Sequence, residues 1–243
     1  MPPKIRRIPM LTTVLFDLDG TLLPFEQEDF IKLYFAGLGK KLAPLGYDPN
    51  SVVKSVWAGT GAMVKNDGSR TNSEAFWQTF RELNKGLPDA QSQCDDFYIH
   101  EFDAIQSCLK RRPNYKPLID RLKASGLKLV LATNPLFPLS GVRTRTAWVG
   151  LAPEDFELVT YYDNSTYCKP NPDYFREILS KIGEKPENCI MVGNNVAEDM
   201  VAATLGMKVF LVNEFLENPA GADASTFPQG SVEDAERYIA SVR

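Results

Sequence analysis

The sequence predicts an α/β protein, with a doubly wound parallel sheet as its core and a mostly helical segment inserted into that core. Two observations lead to this fold class. Short apolar strands alternate with amphipathic helices along the second half of the chain, which is typical of βαβ units. One further apolar strand, at residues 11–16, is separated from the others by the helical pattern of residues 25–110.

Five short apolar segments are predicted to be strands, and the segments between and after them are predicted to be helices. The strands are residues 11–16, 127–133, 156–162, 188–193 and 207–212. The core helices are residues 115–125, 139–150, 172–183, 197–206 and 232–242. Because strands and helices alternate, we expect right-handed crossovers and helices on both faces of the sheet.

The inserted segment has the apolar spacing of several consecutive helices. They are predicted at residues 30–46, 50–65, 72–85 and 91–110. We therefore divide the chain into an α/β core, residues 1–22 and 113–243, and a helical domain, residues 23–112. Ligands of open α/β sheets bind at the carboxyl ends of the strands, so an insertion directly after the first strand is expected to cover that edge.

The composition is that of an ordinary globular protein and argues against several classes of function. The 243 residues are 44% hydrophobic and 24% charged, with a net charge of −4. A nucleic-acid partner would favour a basic face, and a membrane span would need about 20 consecutive apolar residues; neither is predicted, and the basic run Lys4–Arg7 is interpreted as a solvated arm. The four cysteines are expected to be free thiols, as in a cytoplasmic protein.

Polar side chains follow four of the predicted strands, at the point where each strand ends. They are Asp17, Asp19, Thr133, Asn134, Lys169, Asn194 and Asp199. The carboxyl ends of parallel strands meet at one edge of a sheet, so these side chains are expected to converge. Carboxylates, a hydroxyl, an amide and an amine together suit a phosphoryl group and a divalent cation.

The stretch "VLFDLDGTLL", Val14–Leu23, carries the reactive groups of this prediction. Asp17 is the expected nucleophile and a Mg²⁺ ligand, because a carboxylate can attack phosphorus to give an aspartyl-phosphate. Asp19, two residues later on an extended segment, faces the same side and is the expected general acid and base. Thr133 and Asn134 are expected to bind the phosphoryl oxygens, and Lys169 to neutralise developing charge.

The ordered motifs "DLDGT", "ATN", "KP" and "VGNNVAED" resemble those of the haloacid dehalogenase superfamily, from Val14 to about Val212. The resemblance implies a Rossmann-like core with a helical cap of the first type. It also implies that Asp17 is the nucleophile, Asp19 the acid/base, Thr133 a phosphate-binding hydroxyl and Lys169 the lysine of the third motif. True dehalogenases lack an acid at the position of Asp19, so dehalogenation is rejected.

Within this resemblance the Mg²⁺ ligands are Asp17, the backbone carbonyl of Asp19, Asn194 and Asp199. The last motif of the superfamily usually has an acid where this sequence has Asn194. An amide oxygen can bind Mg²⁺ but carries no charge, so we expect a working site with a lower affinity for the metal.

The expected function is a Mg²⁺-dependent phosphatase that acts on a small phosphorylated metabolite. A phosphomutase acting on a sugar phosphate and a non-catalytic phosphate-binding protein on the same fold are the alternatives, and sugar phosphates, nucleotides and phosphoglycolate all remain open as substrates. Arg143 and Arg145 follow the Thr133 loop and could reach the substrate, but they are interpreted as solvated helix residues. The aromatic residues of the insertion are expected to form mostly its own core, with one or two facing the site: Phe25, Phe30, Tyr34, Phe35, Trp57, Phe76 and Trp77.

Overall fold

A computed structural model describes residues 10–243, and Lys4–Arg7 lie outside the described residues. Its centre is a single sheet of six parallel strands in the order β3-β2-β1-β4-β5-β6. The strands are β1 Thr13–Phe16, β2 Lys128–Leu131, β3 Leu158–Val159, β4 Cys189–Gly193, β5 Lys208–Val212 and β6 Gln229–Gly230. The chain winds outward from β1 in both directions, so the fold class predicted from the sequence is confirmed.

Eight α-helices accompany the sheet within residues 10–243. They are α1 Gln27–Leu42, α2 Pro49–Val64, α3 Asn72–Leu83, α4 Gln91–His100, α5 Lys116–Ala124, α6 Leu139–Ala147, α7 Pro172–Ile182 and α8 Val232–Ser241. The first four lie between β1 and α5, in the segment predicted to be a helical insertion. The division into a core and a helical domain at residues 23 and 112 stays a prediction.

The strands alternate their side chains between two apolar layers, as a sheet covered on both faces requires. On one face Val14 and Phe16 of β1 belong to a large cluster that also contains residues of α1 to α5 and α8. On the other face Leu15 packs with Tyr174 and Phe175 of α7. Every side chain of β1 and of its neighbour β4 is buried, so these two strands form the middle of the core.

The structure departs from the predicted elements in three places. The helix predicted at 91–110 ends at His100 and continues as a 3₁₀ helix, Phe102–Cys108. The helix predicted at 197–206 is a 3₁₀ helix at Met200–Leu205, and the residues before it form a turn in which the side chain of Asn195 accepts hydrogen bonds from the amides of Ala197 and Glu198. Strand β6 was not predicted, since two residues beside Pro228 give no apolar run.

In residues 10–243 no helix combines the length and the apolar character that crossing a bilayer demands. The four cysteines, all within this range, are buried and form no disulfide. The cellular compartment stays a prediction.

Candidate active site

The register of the central strands brings the predicted site residues to one edge of the sheet. Phe16 lies opposite Leu131 of β2 and Val192 of β4. The amide of Asp17 donates to the carbonyl of Val192 at 2.9 Å, so the chain is still paired when it reaches this carboxylate. The strand order reverses between β1 and β4, and ligands of doubly wound sheets bind at such a point.

Lys169 joins the first and last motifs. Its Nζ donates to Oδ1 of Asp17 at 2.9 Å and to Oδ1 of Asp199 at 2.6 Å. All three side chains are buried. Burial lowers the pKa of Lys169, but the attraction of the two carboxylates outweighs it and holds that pKa well above its usual value. The lysine is therefore a fixed positive charge between two acids.

Thr21 and Asn194 hold the other side of Asp17. Oγ1 of Thr21 lies 3.0 Å from Oδ2 of Asp17 and 3.1 Å from Oδ1 of Asn194. Nδ2 of Asn194 donates to the carbonyl of Phe215 at 2.6 Å. An amide nitrogen can only donate, so this bond turns the amide oxygen of Asn194 towards Asp17.

The atoms at this edge that could bind a metal ion are oxygens, which suit Mg²⁺. Asp17, Asn194 and Asp199 present them, and Oδ1 of Asp19 is a buried oxygen without a hydrogen-bond partner in the described structure. Both oxygens of Asp199 already accept hydrogen bonds, from Lys169 and from the amide of Asn195. Residues 10–243 hold no group of three or more His, Cys, Asp or Glu side chains placed to bind a metal. A Mg²⁺ site here would therefore depend on the amide of Asn194, backbone carbonyl groups and water in addition to the carboxylates.

Arg145 is a site residue that the sequence interpretation placed wrongly in solvent. Its side chain is fully buried and forms an ion pair with Oδ2 of Asp19. The guanidinium carbon lies 4.2 Å from the ring centre of Phe137. Burial raises the pKa of the Asp19 carboxyl, and Arg145 opposes that rise. Residues two apart lie on different sides of a helix, so Arg143 points outward and pairs with Glu154 instead.

The structure places Thr133 and Asn134 beside Lys169. Thr133 is buried, and its carbonyl accepts from Oγ1 of Thr160 and from the hydroxyl of Tyr174. Oδ1 of Asn134 accepts from the backbone amide of Lys169 at 3.2 Å. Asn134 therefore fixes the loop that carries the lysine, and the phosphate-binding role of both residues stays a prediction.

The chain matches the family model of haloacid dehalogenase-like hydrolases over residues 11–205. This protein belongs to that family. The match begins two residues before β1 and includes all seven predicted site residues.

Curated relatives of the hydrolase match most of its length. A phosphoglycolate phosphatase of Aquifex aeolicus is 26% identical over 204 residues, which are 83% of this chain and 84% of the relative. A pyrophosphatase, PpaX, of Bacillus velezensis is 25% identical over 198 residues, which are 82% and 81% of the two chains. Among solved structures, a 2-haloacid dehalogenase of Pseudomonas syringae superposes with a TM-score of 0.62 at 22% identity, covering 96% of this chain and 100% of that one. The structural likeness concerns the fold alone.

The hydrolase also has site residues that sequence reasoning did not single out. Thr21 is the first, although it is the last residue of "DLDGT". Glu198 accepts from Nδ2 of Asn134 at 3.0 Å, and burial raises its pKa to about 7. Glu217 accepts from Nδ2 of Asn195 at 2.8 Å. Glu198 could have been found from its place directly before Asp199, whereas nothing in the sequence around Glu217 indicates that its loop returns to the site.

Gly20 permits the close approach of two motifs, and replacing it should test that approach. Its φ of +76° is in the left-handed region, and an added Cβ would lie 2.2 Å from Nδ2 of Asn194. We expect Gly20→Ala to lower the free energy of unfolding by about 2–4 kcal/mol, from backbone strain and the lost bonds of Asn194. Gly183→Ala, at φ +67° with nothing within 4 Å, should cost only about 1–2 kcal/mol. Equal losses of unfolding free energy in the two variants, measured by urea unfolding, would contradict the close approach of Gly20 to Asn194.

Because Arg145 pairs with Asp19 and is buried, replacing it should lower the free energy of unfolding more than replacing Arg143 on the same helix. Arg145→Met leaves the half-buried carboxylate of Asp19 without its counter-charge, and we expect a loss of about 2–3 kcal/mol in the free energy of unfolding. Arg143→Met removes an exposed pair with Glu154, for which a loss of at most about 1 kcal/mol is expected. Urea unfolding of both variants measures this, and a similar small loss in both would mean that Arg145 is not held as described.

Proposed function

We propose that this hydrolase is a Mg²⁺-dependent phosphatase that cleaves a small phosphomonoester through an aspartyl-phosphate on Asp17. The observation that carries the proposal is the contact of Lys169 with Asp17 and Asp199, beside an acid, Asp19, that has an unpartnered oxygen. The names of two curated relatives, a phosphoglycolate phosphatase and a pyrophosphatase, support chemistry at phosphorus.

In the first proposed step the Asp17 carboxylate attacks phosphorus. Lys169 and Thr21 hold that carboxylate in place through its two oxygens. As the new O–P bond forms, the P–O bond to the alcohol breaks and Asp19 gives its proton to the departing oxygen. Burial of Asp19 raises its pKa and so favours the protonated form that this step requires.

In the second proposed step water replaces Asp17 on phosphorus. Asp19, now a carboxylate, takes a proton from the water as it attacks, which releases phosphate and restores both acids. Mg²⁺ bound by Asp17, the Asp19 carbonyl, Asn194 and Asp199 would screen the repulsion between the carboxylate and the phosphate dianion.

The remaining roles are part of the same proposal. Thr133, Asn134 and Lys169 bind the phosphoryl oxygens, the lysine through its charge and the other two through hydroxyl and amide groups. Residues 23–112 act as a domain that covers the site and excludes bulk water while the intermediate exists. The substrate is a small molecule, and no role in nucleic-acid or membrane binding is proposed.

Asp17→Asn should abolish hydrolysis of 4-nitrophenyl phosphate, with kcat/KM reduced by at least about 10³-fold, because a neutral amide is a poor nucleophile. Steady-state assays over a series of Mg²⁺ concentrations measure this. The matched control is Asp120→Asn, which makes the same change at an exposed residue of α5 and should keep full activity. Activity of Asp17→Asn equal to that of the unaltered protein would refute the proposed mechanism.

Asn194→Asp should raise the affinity of the site for Mg²⁺ and at the same time lower the stability of the metal-free protein. The added charge should lower the Mg²⁺ concentration needed for half-maximal activity. Without metal the same change places a carboxylate oxygen against the carbonyl of Phe215, where Nδ2 now donates at 2.6 Å. We expect a loss of about 1–3 kcal/mol in the free energy of unfolding without Mg²⁺, and added Mg²⁺ should recover part of it. An unchanged Mg²⁺ requirement would show that Asn194 does not bind the metal.

A further inference from the structure

The cavity above the site residues has two chemically different ends. Its volume is about 180 Å³, and it is continuous from the carboxylates at the sheet edge to a wall formed by α1, α2 and α3. Asp17, Asp19 and Asp199 lie at the sheet end. The wall is built from aromatic and aliphatic side chains, of which Phe35, Trp57, Phe76, Trp77 and Phe80 are the largest.

The aromatic residues of α1 to α3 line this cavity to a greater extent than the sequence indicated. All seven that were expected mostly to form the core of the insertion are among the lining residues, not one or two of them. Their rings also pack on one another: Phe76 and Trp77 lie with centroids 5.0 Å apart, and Phe35 and Trp57 with centroids 5.8 Å apart. The wall is therefore held by its own ring contacts and is apolar before any ligand enters.

The described residues that line the cavity include no lysine, arginine or histidine. The two buried cations nearby are already paired, Lys169 with Asp17 and Asp199, and Arg145 with Asp19. Glu198 and Glu217 add further acidic groups at the sheet end. A second negative charge on the substrate, beyond the phosphoryl group itself, would be buried without a partner, and this is costly.

Uncharged polar substrates also find few partners on this wall. The hydroxyls of Tyr34 and Tyr98 lie 2.7 Å apart and bond to each other. Other polar side chains of the lining away from the sheet edge are Gln27, Thr60, Tyr162 and Trp77, whose indole Nε1 is a buried donor without a hydrogen-bond partner among the described residues. The hydroxyls of a sugar would lose their hydrogen bonds to water here, whereas an apolar group would lose nothing.

From this geometry we infer that the substrate is a phosphate ester of an uncharged, apolar alcohol with about the bulk of one aromatic ring. The inference rests on the proposed phosphatase function and specifies its substrate class. An apolar cavity of about 150 Å³ can hold benzene, so the volume here suits a ring or a short branched alkyl group next to the phosphoryl site. Burial of such a group against aromatic side chains provides the binding free energy that a charged leaving group would obtain from a cation.

The test compares benzyl phosphate with 2-phosphoglycolate. Both are esters of a primary alcohol, and they differ in carrying a ring or a carboxylate. We expect kcat/KM for benzyl phosphate to exceed that for 2-phosphoglycolate by about 100-fold. Equal rates, or faster hydrolysis of 2-phosphoglycolate, would overturn the substrate class and leave the phosphatase function standing. If neither these esters nor 4-nitrophenyl phosphate is hydrolysed at any Mg²⁺ concentration, the proposed function fails, and the inference fails with it.

Two variants show whether the wall is the cause of the preference. Trp57 is 49% exposed, so Trp57→Ala should fold, and we expect it to reduce the preference for benzyl phosphate about tenfold. The matched control is Leu83→Ala, at a 56% exposed residue of α3 that does not line the cavity, and it should leave the preference unchanged. Thr60→Arg places a cation in the lining and should raise kcat/KM for 2-phosphoglycolate relative to benzyl phosphate. An unchanged preference in both Trp57→Ala and Thr60→Arg would contradict the inference.

Discussion

The contact of Lys169 with Asp17 and Asp199 is the interaction on which the rest of the site depends. It joins residues 152 and 30 positions apart, so it forms only when β1, β4 and the loop before α7 have reached their places. Removing one member of a buried group of charges leaves the others uncompensated, which is strongly destabilising. Two carboxylates and one ammonium leave a net negative charge at the sheet edge, and this is the charge that would attract a divalent cation.

A second ion pair, between the half-buried Asp19 and the buried Arg145, lies beside that group. Arg145 lies on α6 and packs against Phe137. The ring of Phe137 in turn packs against that of Phe30 of α1, with centroids 6.0 Å apart. The position of Asp19 is thus coupled through packed side chains to the helices that form the aromatic wall of the cavity. Because Asp19 and the aromatic wall are joined through these packed side chains, a change in either is expected to affect the other.

The fold could be predicted from sequence because alternation of apolar strands and helices is a local pattern. Asp17 could be predicted because it stands at a strand end, and Lys169 because it lies in the motif "KP", in the loop between β3 and α7. Arg145 could not, since its helix has no clear apolar face and nothing local distinguishes it from Arg143. Glu217 could not, because its loop reaches the site through backbone bonds to Asn194 and Val196. The helix expected at 197–206 is a 3₁₀ helix at Met200–Leu205, because the apolar spacing of one short segment does not distinguish three residues per turn from 3.6. The aromatic lining of the cavity depends on how α1 to α3 pack, which no single segment encodes.

The central claim is that Asp17 itself receives the phosphoryl group. The most direct measurement is rapid acid quenching of the Asp19→Asn variant during turnover of 4-nitrophenyl phosphate, followed by mass spectrometry of its peptides. This substrate needs little help from an acid to depart, whereas hydrolysis of the intermediate needs the base that the variant lacks. The account predicts a phosphoryl group on the peptide that contains Asp17 and its loss when Asp17→Asn is added. Release of nitrophenol in Asp19→Asn with the phosphoryl group on no residue, or on a residue other than Asp17, would contradict it.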